Sequence, residues 1–287
     1  MAWDFSQGGG TNNSHADSIG GAIAGANGGQ GIFDVSTTQN YPLGQKREFD
    51  DGDIYRYVYF AAACGPGKLA AQDVSLTNVA SIDGKFVTSA GAAGTAYAVG
   101  DKTVYVRDST VFASDTDVLG NYEGGKLGIT DAAGEGYGYK IKASSIGDLD
   151  EVSGLIRFDL YDGLQVVVDS LSSCGIVGSP YKNLKIASAN TDSPVRGITV
   201  VDVAAAEYAW VQTQGNVFVL CDESAGTVAI NTVAVVSDGV DGAATVMGQG
   251  VPNSEEDLDD LTTEGFLGEW LSAGVNGEYV PMWLRLE

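Results

Sequence analysis

Short segments of alternating side chains, separated by glycine, aspartate, asparagine and serine, follow one another from Tyr41 onward. The clearest is DIYRYVYF (Asp53 to Phe60), with Arg56 and three apolar residues at one parity and three tyrosines at the other. Successive side chains of a strand point to opposite faces, so we expect one face to be covered by the fold and the other by another chain. The other segments are TVYVRD, LIRFDLYD, LQVVVDS, GITVVDV, EYAWVQT, NVFVL, TVAINTVAVV and YVPMWLRLE. Their spacing predicts a mainly β protein with a sandwich- or barrel-like body and little helix.

The glycines of DAAGEGYGYKIK (Asp131 to Lys142) raise the question of a phosphate-binding loop. Such a loop stands between a strand and a helix, because the helix N-terminus supplies the N–H groups that hold phosphate. Here the alternation of Tyr137, Tyr139 and Ile141 follows the glycines, and KLGIT (Lys126 to Thr130) precedes them. Two strands joined by a short glycine-rich connection are typical of a β-hairpin, which is the structure we predict.

Other turn signals lie nearer the end of the sequence. Gln214-Gly215-Asn216 predicts a turn between two strands, since Gly and Asn readily adopt positive φ. Asn276-Gly277 predicts a hairpin, and Pro281 places the following strand at a sheet edge or at a bulge because proline has no N–H. The only candidate helix is Ser254 to Leu271, which begins with a cap and an acidic turn but contains two glycines. A solvated acidic loop is the alternative for that segment.

The first forty residues differ from the rest, because they consist mainly of Gly, Asn, Ser and Ala and offer little to bury. We expect them to form an extended arm that becomes ordered on a neighbouring subunit. Further along, residues 88–102 and 187–194 are rich in small and turn-forming residues, which is typical of boundaries between structural units. The predicted organisation is therefore an arm (1–40), a β body (41–95 plus 187–287) and a second β-rich region (96–186).

The charge of the chain limits its partners. Of the 287 residues, 44% are hydrophobic, but 15 Lys and Arg stand against 38 Asp and Glu, giving a formal charge of -23 at pH 7. This charge repels nucleic acid and anionic membranes, so neither is an expected direct partner. With no long apolar run and no signal-peptide pattern, we expect a soluble protein folded in a reducing cytoplasm. Cys64, Cys174 and Cys221 lack the spacing of a zinc site or disulfide framework and are predicted to be small buried hydrophobic residues.

Residue types that carry catalysis are scarce. The single histidine, His15, lies in the Gly/Asn-rich arm, where nothing would orient an imidazole against a nucleophile. Motifs of serine hydrolases, P-loop NTPases and zinc proteases do not occur. Acidic pairs such as Asp148 and Asp150 arise from composition in so acidic a chain, so an acid-pair hydrolase is the least favoured function. We predict no enzymatic activity, no catalytic residues and no cofactor.

Three acidic loops are candidate calcium sites. SDTDVLG (Ser114 to Gly120) partly follows an EF-hand loop, but Leu119 and Lys126 stand where oxygen ligands should be. The other two are DDGD (Asp50 to Asp53) and SDGVDG (Ser237 to Gly242), and Asp and Gly are ordinary turn residues. No metal site is therefore predicted.

The order of the strand segments carries a resemblance to a known class of proteins. It rests on the phrases YPLGQKREFDDGDIYRYVYFAAA, GDKTVYV, YEGGKLGITDAAGEGYGYKIKA, IRFDLYDGLQVVVDS, SPYKNLKIA, PVRGITVVDVAAAEYAWVQTQGNVFVL and NGEYVPMWLRL. In this order they resemble the virion structural proteins that decorate the heads of tailed bacteriophages, called capsid decoration or cement proteins. The likeness extends from about Tyr41 to the last residue and rests on several short phrases in a fixed order, not on a catalytic signature.

The resemblance implies a mainly β protein, made in the bacterial host cytoplasm, that binds the outer surface of the phage capsid. There it would join neighbouring subunits of the major capsid protein, commonly as a homotrimer, without direct contact to nucleic acid. It brings no catalytic residues with it. The alternative function is a head-fibre or receptor-binding protein that presents Trp270 or the tyrosines to host glycans.

Overall fold

The structure is a computed structural model that describes residues 29–73, 78–87, 97–107, 122–146, 155–188, 194–224, 226–247 and 266–287. These residues form sixteen strands and no helix, which confirms the prediction of a mainly β protein. The strands are β1 (Lys46–Glu48), β2 (Ile54–Phe60), β3 (Leu69–Gln72), β4 (Asn78–Val87), β5 (Thr103–Arg107), β6 (Lys126–Asp131), β7 (Gly138–Ile146), β8 (Leu155–Leu160), β9 (Ser173–Val177), β10 (Leu184–Ile186), β11 (Val195–Thr199), β12 (Glu207–Leu220), β13 (Val233–Val236), β14 (Ala244–Val246), β15 (Phe266–Trp270) and β16 (Tyr279–Arg285).

Ten of the strands form one large sheet in the order β1-β2-β10-β3-β11-β12-β16-β15-β13-β14. An additional antiparallel pairing of β2 with β12 joins strands that are four places apart in this order. It closes β2, β10, β3, β11 and β12 into a ring, from which β16, β15, β13 and β14 extend. The long strand β12 therefore belongs to both the ring and the extension.

The remaining six strands form a closed barrel in the order β4-β5-β8-β7-β6-β9. The barrel is inserted between β3 and β10 of the large sheet, so the predicted regions differ from the observed sheets by one strand at each boundary. β4 had been placed in the body but pairs with β5 and β9, and β10 had been placed in the second region but pairs with β2 and β3. The turn-rich segment 88–102 stands between two paired barrel strands, which explains the first displacement. Independent folding of the barrel stays a prediction.

Each sheet surrounds hydrophobic side chains that alternate along its strands. The barrel core contains Phe86, Val104, Leu127, Ile141, Phe158 and Ile176. The large sheet contributes two clusters, one with Leu69, Val217, Trp270, Met282 and Leu284, and the other with Val58, Phe60, Ala70, Leu184 and Val211. All of these are buried.

The tyrosine face of β2 is covered by the chain's own N-terminal segment and not by another chain, contrary to our expectation. Gln30 forms the centre of this contact: its Nε2 donates to Tyr208 O (2.9 Å), and its Oε1 accepts from Tyr57 Oη (2.8 Å). Trp210 Nε1 donates to the Gln30 carbonyl (3.2 Å), and Ser36 bridges to Tyr208. The expected arm is therefore wrong for residues 29–40, and residues 1–28 lie outside the described part.

Two predicted turns are confirmed. β6 and β7 pair as an antiparallel hairpin, with Lys126 opposite Lys140, and Gly134 and Gly136 take positive φ (89° and 86°) between them. The Asn276-Gly277 signal lies between the antiparallel strands β15 and β16, with Gly277 at φ 81°. The glycine-rich loop leads into a strand, so it lacks the helix that a phosphate loop requires.

The predicted turn at Gln214-Gly215-Asn216 is wrong. These residues lie inside β12, a single strand of 14 residues, and Gly215 (φ 103°) instead bends the strand next to a register shift between Gln212 and Gln214. The bend lies where β12 changes its partner from β2 to β16. Turn-forming residues therefore serve here to redirect a strand.

The predictions for Pro281 and for the candidate helix are also corrected. β16 lies between β12 and β15 and is not an edge strand, and its pairing with both strands is regular. Pro281 O accepts from Leu271 N–H (3.0 Å), so the proline nitrogen faces a position just beyond the end of β15, where no ladder hydrogen bond is lost. Of the candidate helix, residues 266–270 form β15, and residues 254–265 lie outside the described residues.

Candidate functional site

An open cleft of about 440 Å³ lies beside β12, in the part of the strand that follows the bend. Its volume falls in the range of ligand-binding sites. The cleft is lined by Phe33, Tyr55, Pro66, Gly67, Thr199, Val200, Gln212, Asn216, Val217, Phe218 and Tyr279. We call this surface the aromatic cleft.

Three aromatic rings of the cleft are unusually exposed. Phe33 is 67% exposed, Phe218 62% and Tyr279 46%, although rings of this size are mostly covered in folded proteins. They come from three distant parts of the chain, and the fold brings them to one opening. Clustered exposed rings are typical of binding surfaces, because their burial in a complex removes a large apolar area from water.

The aromatic cleft continues onto the outer face of β12 and β16. Leu220, Pro281 and Trp283 are half-buried along this face. An ion pair between Arg285 and Glu269 (3.1 Å) stands next to Trp283. The cross-strand pairs on this face are Asn216 with Trp283, Phe218 with Pro281 and Leu220 with Tyr279.

One end of the cleft is formed by the bend of β12 against Asp53. Asp53 Oδ1 accepts a hydrogen bond from the Asn216 N–H (3.1 Å). Burial raises the pKa of the Asp53 carboxyl above its ordinary value, the charge of Asp51 raises it further, and the Asn216 N–H opposes both effects. Asp53 therefore fixes the strand after its bend while keeping an acidic group at the end of the cleft.

The floor of the cleft is formed by two buried polar side chains, Gln212 and Tyr55. They hydrogen-bond to each other, and Gln212 also hydrogen-bonds to the backbone of β12. Gln212 Nε2 donates to the carbonyls of Gln214 (3.1 Å) and Asn216 (3.0 Å), and its Oε1 accepts from Tyr55 Oη (3.3 Å). Burial, followed by the charges of Asp53 and Asp51, raises the pKa of Tyr55 to about 12, so the phenol remains a donor at neutral pH. These groups shape the cleft and leave its rings and backbone edge for a ligand.

The lining of the cleft consists of apolar, aromatic and uncharged polar residues. It contains no Asp, Glu, His, Cys, Lys or Arg side chain. The three cysteines are buried and free, as the sequence predicted. Burial raises the pKa of both Cys64 and Cys221 to about 11, so their thiols stay protonated at neutral pH.

The acidic loops do not converge on a cation site in the part of the chain that is described. No group of three or more His, Cys, Asp or Glu residues there could hold a metal ion. In the DDGD loop, Asp53 is bonded to Asn216, and in the SDGVDG loop Ser237 Oγ donates to Asp222 Oδ2 (2.5 Å). Residues 114–120, His15, Asp148 and Asp150 lie outside the described residues.

The residues proposed from sequence as a glycan platform are not exposed. Trp270 is fully buried, with its Nε1 donating to Thr245 O (3.3 Å), and Tyr55 and Tyr57 are buried as well. Sequence reasoning missed Phe33, Phe218 and Tyr279. Only Phe218 had a local signal: it stands at the outward parity between Val217 and Val219, where an aromatic residue is unexpected unless it contacts something.

Comparison with protein-family models finds no matching family, and searches of curated proteins and of solved structures find no significant match. Within the described residues, there is no helix with the length and hydropathy needed to cross a membrane.

Proposed function

We propose that this protein is a non-enzymatic structural protein of a phage virion that binds the outer surface of the capsid and stabilises contacts between major capsid subunits. The observation that carries the proposal is the aromatic cleft, an exposed apolar site without catalytic side chains. The strand order that resembles capsid decoration proteins supports the choice of partner. Self-association, as a homotrimer on the capsid exterior, belongs to the same proposal.

The physical properties of the chain suit attachment in many copies. A cleft of this size provides modest affinity at each site, and engagement of several subunits by one oligomer multiplies that affinity. The formal charge of -23 keeps free copies apart and favours basic patches on the partner. Charge thus favours the initial encounter with the partner, while the aromatic rings of the cleft form the contacts that stabilise the complex.

The test is co-sedimentation of the purified protein with phage heads that lack it, followed by imaging of the particles. We expect saturable binding at regular lattice positions and a trimer in analytical ultracentrifugation. The variant with Phe218→Ala and Tyr279→Ala should bind at least about 10-fold more weakly, since exposed aromatic anchors carry most of an interface's energy. A matched control with Leu171→Ala and Val167→Ala removes two exposed apolar side chains of the barrel segment and should bind normally. Equal loss in both variants would contradict a role for the cleft.

A second candidate is binding of host glycans, as in a head fibre or receptor-binding protein. The observation that favours it is the exposed amide-bearing residue Asn216 beside the ring of Phe218, because sugars are held by stacking on rings together with amide hydrogen bonds. Binding of the wild type, but not of Phe218→Ala, on an array of host-surface glycans would support this function. No binding to heads in the same preparation would then exclude the capsid role.

A further inference from the structure

The edge of β12 that borders the aromatic cleft presents backbone groups to it. Cys221 N–H donates toward β16, to Glu278 O (2.9 Å), whereas Leu220 N–H donates to Gly67 O (2.9 Å) on the other side. Backbone groups of successive strand residues point alternately to the two sides, and the register with β16 is continuous from Gln214 to Leu220. The N–H and C=O of Phe218 must therefore face the Gly67 side, as those of Leu220 do.

Two independent observations agree with this direction. Phe218 stands opposite Pro281, whose carbonyl accepts from Leu271 N–H and so faces away from β12, as expected for a pair that exchanges no hydrogen bonds. Phe218 O also lies 3.2 Å from the position that a Cβ on Gly67 would occupy. The Tyr279 ring lies still closer to this position, with its Cε1 at 2.5 Å, so the carbonyl of Phe218 and the ring of Tyr279 both face Gly67.

Phe218 lies between two positions that are already bonded. On one side Asn216 N–H is held by Asp53 Oδ1, and on the other Leu220 N–H is held by Gly67 O. Among the described residues, none hydrogen-bonds to the Phe218 N–H or C=O across this edge. An open strand edge offers an incoming strand both a donor and an acceptor, here for one residue of that strand.

The surroundings of this edge define the chemistry of what fits. The exposed rings of Phe33 and Tyr279 flank it, so they favour apolar side chains on the incoming segment. Asp51 and Asp53 lie at one end, and Glu278 follows the turn next to Tyr279 at the other. An uncharged lining between acidic ends complements an apolar segment that has basic residues at its ends.

We propose that the aromatic cleft binds a short extended peptide segment of a partner protein by strand addition at Phe218. One residue of the segment exchanges two backbone hydrogen bonds with Phe218, its apolar side chains contact the rings, and a basic flanking residue reaches Asp51 and Asp53. This inference rests on the binding role proposed for the cleft and specifies its ligand as extended, apolar and flanked by positive charge.

The test uses the full-length protein and capped, fluorescently labelled heptapeptides of the form Lys-X-Thr-X-Thr-X-Lys, in which X is Val, Leu or Phe. Anisotropy titration should give saturable binding by at least one of them, with a Kd below about 1 mM. N-methylation of the peptide backbone at each residue in turn should weaken binding about 3- to 10-fold at one or two positions only, the effect of losing one hydrogen bond. Replacing both lysines by glutamate should weaken it at least about 10-fold at low salt.

Two protein variants separate the backbone of Phe218 from its ring. Phe218→Ala removes the ring and keeps the N–H, and Phe218→Pro removes both. We expect Phe218→Pro to bind about 3- to 10-fold more weakly than Phe218→Ala, after both are shown to be folded by their urea transitions. If the proline variant does not fold, the N-methylated peptides measure the same bonds from the ligand side. Asp53→Asn should weaken binding of the lysine peptides and leave the glutamate peptides unchanged.

Three results would overturn strand addition: no peptide of the set binds, N-methylation has no effect at any position, or the proline and alanine variants bind equally. Displacement of the peptide by an uncharged oligosaccharide such as maltohexaose would assign the cleft to glycans instead. Because these measurements use no capsid, their failure is distinguishable from failure of the capsid role. Peptide binding without binding to heads would keep this inference and refute the proposed partner.

Discussion

Replacement of Gly215 by alanine should destabilise the large sheet more than an equivalent change at another glycine of positive φ. Gly215 bends β12 at φ 103°, a conformation that L side chains rarely adopt. A Cβ at this position would clash with Asp53 Oδ1 and lie 2.9 Å from Asp53 Cγ and 3.0 Å from its Cα. The side chain could move, but the Cα belongs to the backbone next to β2.

The expected cost is the sum of two effects. Holding alanine at positive φ costs about 1–2 kcal/mol. Displacing Asp53 breaks its charge-assisted bond to the Asn216 N–H, which adds about 1–2 kcal/mol at this partly exposed site. Gly52→Ala is the matched control, because Gly52 also has positive φ (91°) but a Cβ there would meet nothing within 4 Å. We therefore expect a loss of about 2–4 kcal/mol for Gly215→Ala and about 1–2 kcal/mol for Gly52→Ala.

Urea unfolding followed by tryptophan fluorescence is the appropriate assay. Trp210, Trp270 and Trp283 all lie in strands of the large sheet, so they report on the part that contains the bend. The double variant Gly215→Ala with Asp53→Ala should be more stable than the sum of the single effects predicts, because the second change removes one partner of the clash. Equal midpoints for Gly215→Ala and Gly52→Ala, or additivity in the double variant, would refute the steric argument.

Three further predictions concern side chains elsewhere in the fold. Trp270→Ala should reduce the free energy of unfolding by about 3–5 kcal/mol in urea titrations, since the ring is fully buried, and a smaller loss would contradict its place in the core. Two hydrogen bonds from Arg56 hold the pKa of the Glu287 carboxyl below its ordinary 4.5. The ion pair therefore stabilises the fold above pH 4.5, and this stabilisation is lost as the pH falls through the lowered pKa. The stability advantage of the wild type over Glu287→Gln, about 1 kcal/mol near neutral pH, should thus shrink in urea titrations as the pH falls below 4.5, and a constant difference would count against the pair. All three cysteines are buried, and burial raises the thiol pKa of Cys64 and Cys221 to about 11. An aromatic disulfide reagent at about pH 8 should therefore label the cysteines only after unfolding. Rapid labelling of the native protein would show the thiols to be accessible.

Local patterns predicted local structure well. The hairpin of β6 and β7 follows from two alternating segments and a glycine-rich connection, all within about twenty residues of sequence. The burial of the three cysteines and of both faces of β2 likewise follows from side-chain type and alternation. What covers the second face of β2 was not predictable, because Gln30 fixes the N-terminal segment through a few hydrogen bonds that composition does not reveal.

The other features that could not be predicted from the sequence depend on pairing between strands that are far apart in the chain. β2 pairs with β12 across about 150 residues of sequence, and no turn signal records such a contact. The ring that results explains why the turn signal at Gly215 was misread: a strand that must change partners needs the same positive φ as a hairpin. The aromatic cleft likewise depends on contacts between distant segments, since Phe33, Phe218 and Tyr279 come from three separate parts of the chain.

Departures from ordinary sequence rules converge on the aromatic cleft. A glycine interrupts the middle of the longest strand, an aspartate with a raised pKa lies beside a second aspartate, and three large rings face water. Each of these features by itself lowers stability or solubility, and such features persist in proteins mainly where function requires them. The pairing of β12 with β2 ends next to this glycine, and Phe218 lies in the part of β12 beyond it. The bend, the two aspartates and the exposed rings thus lie together beside the groups that a partner would bind, which is why the cleft is a stronger candidate for function than the equally exposed apolar residues of the barrel.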